Sequence, residues 1–106
     1  MILEVAILNV IPGRHSAFEV AFTRAVPILT SMPGYISHEL RRSIKHPSRY
    51  LLLVQWQTLE DHTIVFRGSP KYQEWKALLH HFCDPFPTVE HYGAPLSPQA
   101  RATKDG

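Results

Sequence analysis

Apolar positions along this chain repeat with a period of two in some stretches and with a helical period in others. Prolines and glycines separate the stretches: Pro12-Gly13, Pro33-Gly34, Pro47, Gly68 with Pro70, Pro85, Pro87 and Gly93 all fall between periodic segments. Residues 2–11 are aliphatic and β-branched, which predicts a strand. Over residues 14–29, Phe18, Phe22, Ala25 and Leu29 form a single helical stripe, with Pro27 expected to kink or shorten its last turn. Residues 35–43 and 50–57 alternate and read as two strands, connected through Lys45-His46-Pro47-Ser48. Thr58 followed by Asp61 has the spacing of a capping box and predicts a helical piece that Gly68 closes. Ser69-Pro70 restarts it, a cap residue followed by proline at the first helical position. That second piece stripes Tyr72, Trp75, Leu79 and Phe82 along one face, and residues 86–92 supply the last strand.

The resulting order is βαββαβ, two similar halves of about 45 residues, which predicts a ferredoxin-like α+β fold. Its four strands form one antiparallel sheet, and both helices pack on one face of it. The strand at 50–57 carries Tyr50, Leu52, Val54 and Trp56 on one side and Leu51 and Leu53 on the other. The first strand repeats this, with Ala6, Leu8 and Val10 against Val5, Ile7 and Ile11. Strands apolar on both sides are covered on both sides. Two helices cover only one, so a second copy of the sheet is expected on the other, giving a homodimer through the bare face.

With 106 residues and 12.1 kDa the chain makes one domain, assigned to residues 1–92. Residues 93–106 include Pro95, Pro98 and Gln99 and few large apolar side chains, and are expected to be disordered or to reach across the partner as a swapped arm. A core of this size has little room for a dinucleotide, and the sequence has no Gly-rich phosphate loop to hold one.

Eleven Lys and Arg against nine Asp and Glu give a net charge of +2. That balance excludes the strongly basic face of a nucleic-acid binder. Arg41, Arg42, Lys45 and Arg49 cluster around the predicted hairpin and read as a solvated rim, or else as a patch for an anion. One cysteine, Cys83, excludes an internal disulfide and a Cys-based zinc site, and reads as a structural thiol. Residues 1–8 lack a basic leader and carry Glu4 within the apolar run, so they read as strand and not as a signal peptide. No apolar run reaches the roughly 18 residues of a membrane span, and a cytoplasmic location is expected, with no membrane partner.

Seven histidines make the chain rich in imidazole. His15, His46 and His91 fall at a helix start, in a turn and in an end strand, and read as surface residues. His80 and His81 are adjacent on a helix and point roughly 100° apart, too divergent to grip one metal. No HExxH, HxH or carboxylate-histidine cluster is present, and no metal is expected. His62 lies one turn before Phe66, and His38 lies on a strand with Ile36 and Leu40. Each is a core histidine in the plainer reading and the base of a buried pocket in the sharper one, because imidazole titrates near neutrality. Phe18, Phe22, Trp56, Phe66, Tyr72, Trp75 and Phe82 are core aromatics first. Gathered around one helix-sheet gap, they also suit a planar apolar ligand. The N–H of Trp56 or Trp75 and the Tyr72 hydroxyl would supply its polar anchors. No Ser-His-Asp pattern and no paired catalytic carboxylates occur.

Pro-Gly-Arg-His before a helix, "SMPGYISHELRRS", "YLLLVQWQTLEDH", "FRGSPKYQEW" and "FPTVEHY" together resemble the antibiotic biosynthesis monooxygenase domain family, from about Ile2 to Tyr92. The resemblance implies a dimeric α+β barrel. It also implies cofactor-independent oxygenation of electron-rich polycyclic phenols or quinols or, in one branch, oxidative haem breakdown. On that pattern His62 or His38 is the base, Trp56 and Tyr72 are hydrogen-bond donors, and Trp75, Phe66, Phe22, Phe18 and Phe82 line the substrate. Many members place a histidine three residues before the Ser-Pro step, where this chain has Phe66, with His62 one helical turn earlier. The Asn, Trp and His trio of the haem-degrading branch is not reproduced: Asn9 is shifted from the expected strand position, and Val65-Phe66 replace the tryptophan. Haem is therefore not expected. Two further classes remain open on this fold: a non-catalytic dimeric ligand-binding or stress-response module, and an isomerase or lyase, which would turn over without oxygen.

Overall fold

In the computed structural model, which describes residues 1–97, the chain runs β1 (Ile2–Asn9), α1 (His15–Thr30), β2 (Tyr35–Arg42), β3 (Arg49–Trp56), α2 (Pro70–Leu79) and β4 (Thr88–Tyr92). Between β3 and α2 lies a π-helical turn, Asp61–Phe66, and α2 ends in a 3₁₀ turn, His80–Phe82. The strands form one antiparallel sheet in the order β2-β3-β1-β4. This is the ferredoxin-like α+β architecture that the element order predicts.

Local chemistry explains the boundaries. Gly13 and Gly34 take φ of +86° and +81°, a left-handed backbone that favours glycine, at the two turns after Pro12 and Pro33. The capping box forms reciprocally: the Thr58 hydroxyl accepts the Asp61 N–H at 3.1 Å, and the Asp61 carboxylate accepts the Thr58 N–H at 3.1 Å. The turn that this box opens is wider than an α-helix, because the Arg67 N–H donates to the His62 carbonyl five residues back. The Ser69 hydroxyl caps α2 by accepting the Tyr72 N–H, with Pro70 at the first turn. Pro27 does not shorten α1, which continues to Thr30. Only one helical hydrogen bond depends on its missing N–H, and Phe18, Phe22, Ala25 and Leu29 hold the helix to the core.

The core lies between the helices and one sheet face. Ala6, Leu8, Tyr50, Leu52, Val54 and Trp56 point into it and are buried. A bulge between Tyr35 and Ser37 changes the register of β2. It makes Tyr35 the inward companion of His38 and Leu40, while Ile36 is exposed, against the expectation that Ile36 shares their side. The opposite face carries Leu3, Val5 and Ile7 of β1 beside Leu51 and Leu53 of β3, only partly covered within one chain. No helix among the described residues is long and apolar enough to cross a membrane. Residues 93–97 have no regular structure, and the remainder of the predicted tail, 98–106, lies outside the described residues.

Candidate active site

A cavity of about 290 Å³ lies between the inward sheet face and α2. Ala6, Leu8, Leu52 and Val54 form its floor, and Phe66, Tyr72, Trp75 and Leu79 form its opposite wall. Phe66 meets both Tyr72 and Trp75 edge-on, with centroids 5.3 and 5.9 Å apart, which fixes that wall as an aromatic surface. Polar groups occur at intervals around this apolar lining: Glu4, His62 and Arg67, and also His80 and Cys83.

Glu4 and His62 are 7% and 3% exposed, the two buried polar side chains of the chain's described part. Alternation puts Glu4 on the same side of β1 as Ala6 and Leu8, and the β1–β4 register sets it directly across from His91. The π-helical turn carries His62 over this pair. His62 Nδ1 lies 2.8 Å from His91 Nε2, and His62 Nε2 lies 3.3 Å from Glu4 Oε1. The Trp56 indole N–H donates to the same Glu4 oxygen at 3.0 Å, and its ring stacks on His62 at 5.4 Å. Both partners of Glu4 thus fall on Oε1.

Burial is the main influence on these groups. It pushes Glu4 above the usual carboxylate value, although the Trp56 N–H and the Arg67 cation pull the other way. Burial, then Arg67 and His91, holds His62 down to about 3, and His91 is lowered by burial and by Arg67. The imidazoles are therefore neutral near pH 7, each with one N–H and one lone pair. Because Glu4 and His91 face opposite nitrogens of His62, the three do not converge on one ion. No group of three His, Cys, Asp or Glu among the described residues is arranged to hold a metal. Burial also raises the Cys83 thiol to about 11, which keeps it protonated at the cavity edge and unsuited to nucleophilic attack.

Of the residues given a catalytic or substrate-binding role from the sequence, the structure brings His62, Phe66, Tyr72 and Trp75 to the cavity. The others lie elsewhere. His38 faces the Tyr35 hydroxyl, 2.6 Å from its Nδ1, and packs near Phe22. Phe18 and Phe22 of α1 and Phe82 pack together and do not line the cavity, although Phe22 meets Trp75 of its wall edge-on at 6.0 Å. Trp56 lies behind Glu4, fully buried, with its N–H already engaged. His91, expected on the surface, is partly buried against His62. Sequence reasoning missed Glu4 as a site residue, although a carboxylate on the inward phase of an apolar strand is the signal that marks one.

The family model for antibiotic biosynthesis monooxygenase matches residues 1–78. The chain belongs to the antibiotic biosynthesis monooxygenase family. The Bacillus subtilis (strain 168) protein YczJ, itself described as uncharacterized, is 55% identical over 92 residues, covering 87% of this chain and 97% of its own. A crystal structure from Bordetella bronchiseptica, assigned to the same family, is 37% identical with a TM-score of 0.86, covering 90% of this chain and 97% of that one. The cofactor-independent oxygenase SnoaB of Streptomyces nogalater superposes with a TM-score of 0.72 at 20% identity, covering 91% of this chain and 94% of its own. At that identity the likeness to SnoaB is one of fold. The antibiotic biosynthesis monooxygenase fold thus accounts for the sheet and helices that enclose the cavity, and the Glu4–His62–His91 cluster is what this chain places inside it.

Proposed function

We propose that this protein is a cofactor-independent monooxygenase acting on a planar phenol- or quinol-like molecule, with the sheet-to-helix cavity as its site and a homodimer as its working form. The observation that carries this is a buried carboxylate, Glu4, on the wall of a cavity that is otherwise apolar and aromatic. A flat ring fits against Phe66 and Trp75, and its hydroxyl meets Glu4. The carboxylate takes the phenolic proton, and the electron-rich phenolate passes one electron to O₂. The radical pair joins in a carbon–oxygen bond, the peroxide anion so formed takes up one proton, and the resulting hydroperoxide loses water to leave a carbonyl. One atom of O₂ ends in the quinone and the other in water. The apolar walls keep bulk water from the intermediate, and the hydroxyl of Tyr72, a residue of the cavity wall, donates to its oxygens. His62 stands one proton transfer behind Glu4. Oxygen is the only co-substrate this scheme needs, and we take its workplace to be the cytoplasm.

The homodimer rests on the strip of Leu3, Val5, Ile7, Leu51 and Leu53 across the centre of the uncovered sheet face. The deciding experiment is oxygen uptake with anthrone- and quinol-like substrates, wild type against Glu4→Gln. Uptake by the wild type that falls by roughly 10²-fold or more in the variant supports the reading. Turnover of the same compounds without oxygen would assign an isomerase or lyase instead, and tight binding without any product would assign a binding module.

A further inference from the structure

We propose that Glu4, His62 and His91 form a proton path from the cavity to the outer edge of the sheet. On this path Glu4 accepts the proton of a phenolic ligand, and the two histidines deliver it to water. The path rests on the reading of the cavity as a phenol site. It goes beyond that reading in assigning His91 and the order of transfer.

A base buried at 7% exposure has no route to bulk water of its own once a ligand fills the cavity. The cluster supplies one. From Glu4 Oε1 to His62 Nε2 is 3.3 Å, and from His62 Nδ1 to His91 Nε2 is 2.8 Å. His91 sits on β4, the edge strand of the sheet, and is only partly buried. Each histidine is thus reached at one nitrogen and continues from the other. The charged and titratable groups around the path are few. Arg67, next after the π-helical turn and on the cavity lining, acts on all three members through its charge, and the Trp56 N–H holds Glu4 Oε1 from β3. α2 contributes Tyr72 and Trp75 to the cavity wall, and the 3₁₀ turn after it contributes His80.

The proton count closes. In the tautomer with a proton on His62 Nδ1, His62 Nε2 presents a lone pair to Glu4 and receives the proton taken from the ligand. The Nδ1 proton passes to His91 Nε2, and His91 releases its own Nδ1 proton to water. Glu4 is again a carboxylate, both imidazoles are neutral in the opposite tautomer, and the phenolate is the one new charge in the cavity. Since burial and Arg67 oppose a lasting imidazolium at His62, that residue works as a conduit and not as a store.

The test uses 4-nitrophenol, whose phenolate absorbs in the visible, mixed with the full chain in weak buffer containing a pH indicator. The expected result is a bound phenolate with one proton released to the indicator, at a rate that falls at least 10-fold in His91→Ala and in His91→Gln. Added imidazole restores that rate, which a merely structural role for His91 does not predict. Release at the wild-type rate in both variants overturns the path and leaves the phenol site standing. So does slow release that imidazole fails to restore, or a bound phenolate with no proton released. If 4-nitrophenol does not bind, or binds un-ionised, the phenol-site reading falls and the path with it.

Discussion

At the scale of single residues, Glu4 sets the character of the site. A carboxylate in this position costs desolvation, and the Trp56 N–H on Oε1 offsets part of that cost. Trp56 acts here as a positioning residue: its N–H orients Glu4, and its ring packs flat on His62. Trp56→Phe keeps the stack and removes the N–H, so kcat is expected to fall while KM changes little. His62 makes a separate prediction about stability. Its folded value of about 3 lies below the ordinary 6.5, so between those values the unfolded chain binds a proton that the folded chain refuses. Stability therefore falls as pH drops from 6.5 toward 3. Glu4, raised by burial, acts in the opposite sense above its ordinary 4.5, so the comparison belongs in a Glu4→Gln background. There the urea midpoint should fall more steeply with acidification when His62 is present than in His62→Gln. Equal slopes in the two proteins would contradict the assignment.

At the scale of elements, the π-helical turn decides which side chains reach the cavity. Its five-residue hydrogen bond sets both His62 and Phe66 inward, between a capping box and the Ser69 cap of α2. Gly34 supports it from the neighbouring β-turn. A side chain there would meet the Asp61 carboxyl as well as an unfavourable φ of +81°, and the Gly34 carbonyl accepts the Gln57 N–H at 2.8 Å. Gly34→Ala is expected to cost about 1–3 kcal/mol in urea unfolding. It should also weaken ligand binding, because Asp61 begins the turn that carries His62. Loss of stability alone would separate the turn from the site. The capping box and the Ser-Pro restart were legible in the sequence because each is a local pattern. The π geometry was not, since it differs from an α-helix in bonding and not in composition.

At the scale of the molecule, the sheet has one face closed by helices and one carrying an apolar strip. Leu53 stands opposite Val5 at the middle of that strip. Sedimentation should show a dimer for the wild type and a monomer for Leu53→Lys, with the cavity lying on the far side of the sheet from the substitution. A wild-type monomer at micromolar concentration would remove the dimer from the proposed function. The exposed Val20 and Ile64 lie away from this strip, and such scattered positions are ordinary for a small domain.

Alternation and helical stripes determined the order of elements, the two-layer fold and the apolar back of the sheet, because each depends on neighbours close in the chain. The aromatic wall was half legible. Phe66, Tyr72 and Trp75 reach the cavity, whereas Phe18, Phe22 and Phe82 share its composition and pack with one another instead. Only the tertiary structure decided the polar cluster. Glu4 meets His91 through the pairing of the first strand with the last, and His62 meets both through a turn 29 residues before His91. Strand order and register are set by hydrogen bonds between distant segments. A carboxylate and two imidazoles that look unrelated along the chain therefore become one chemical unit when the sheet forms.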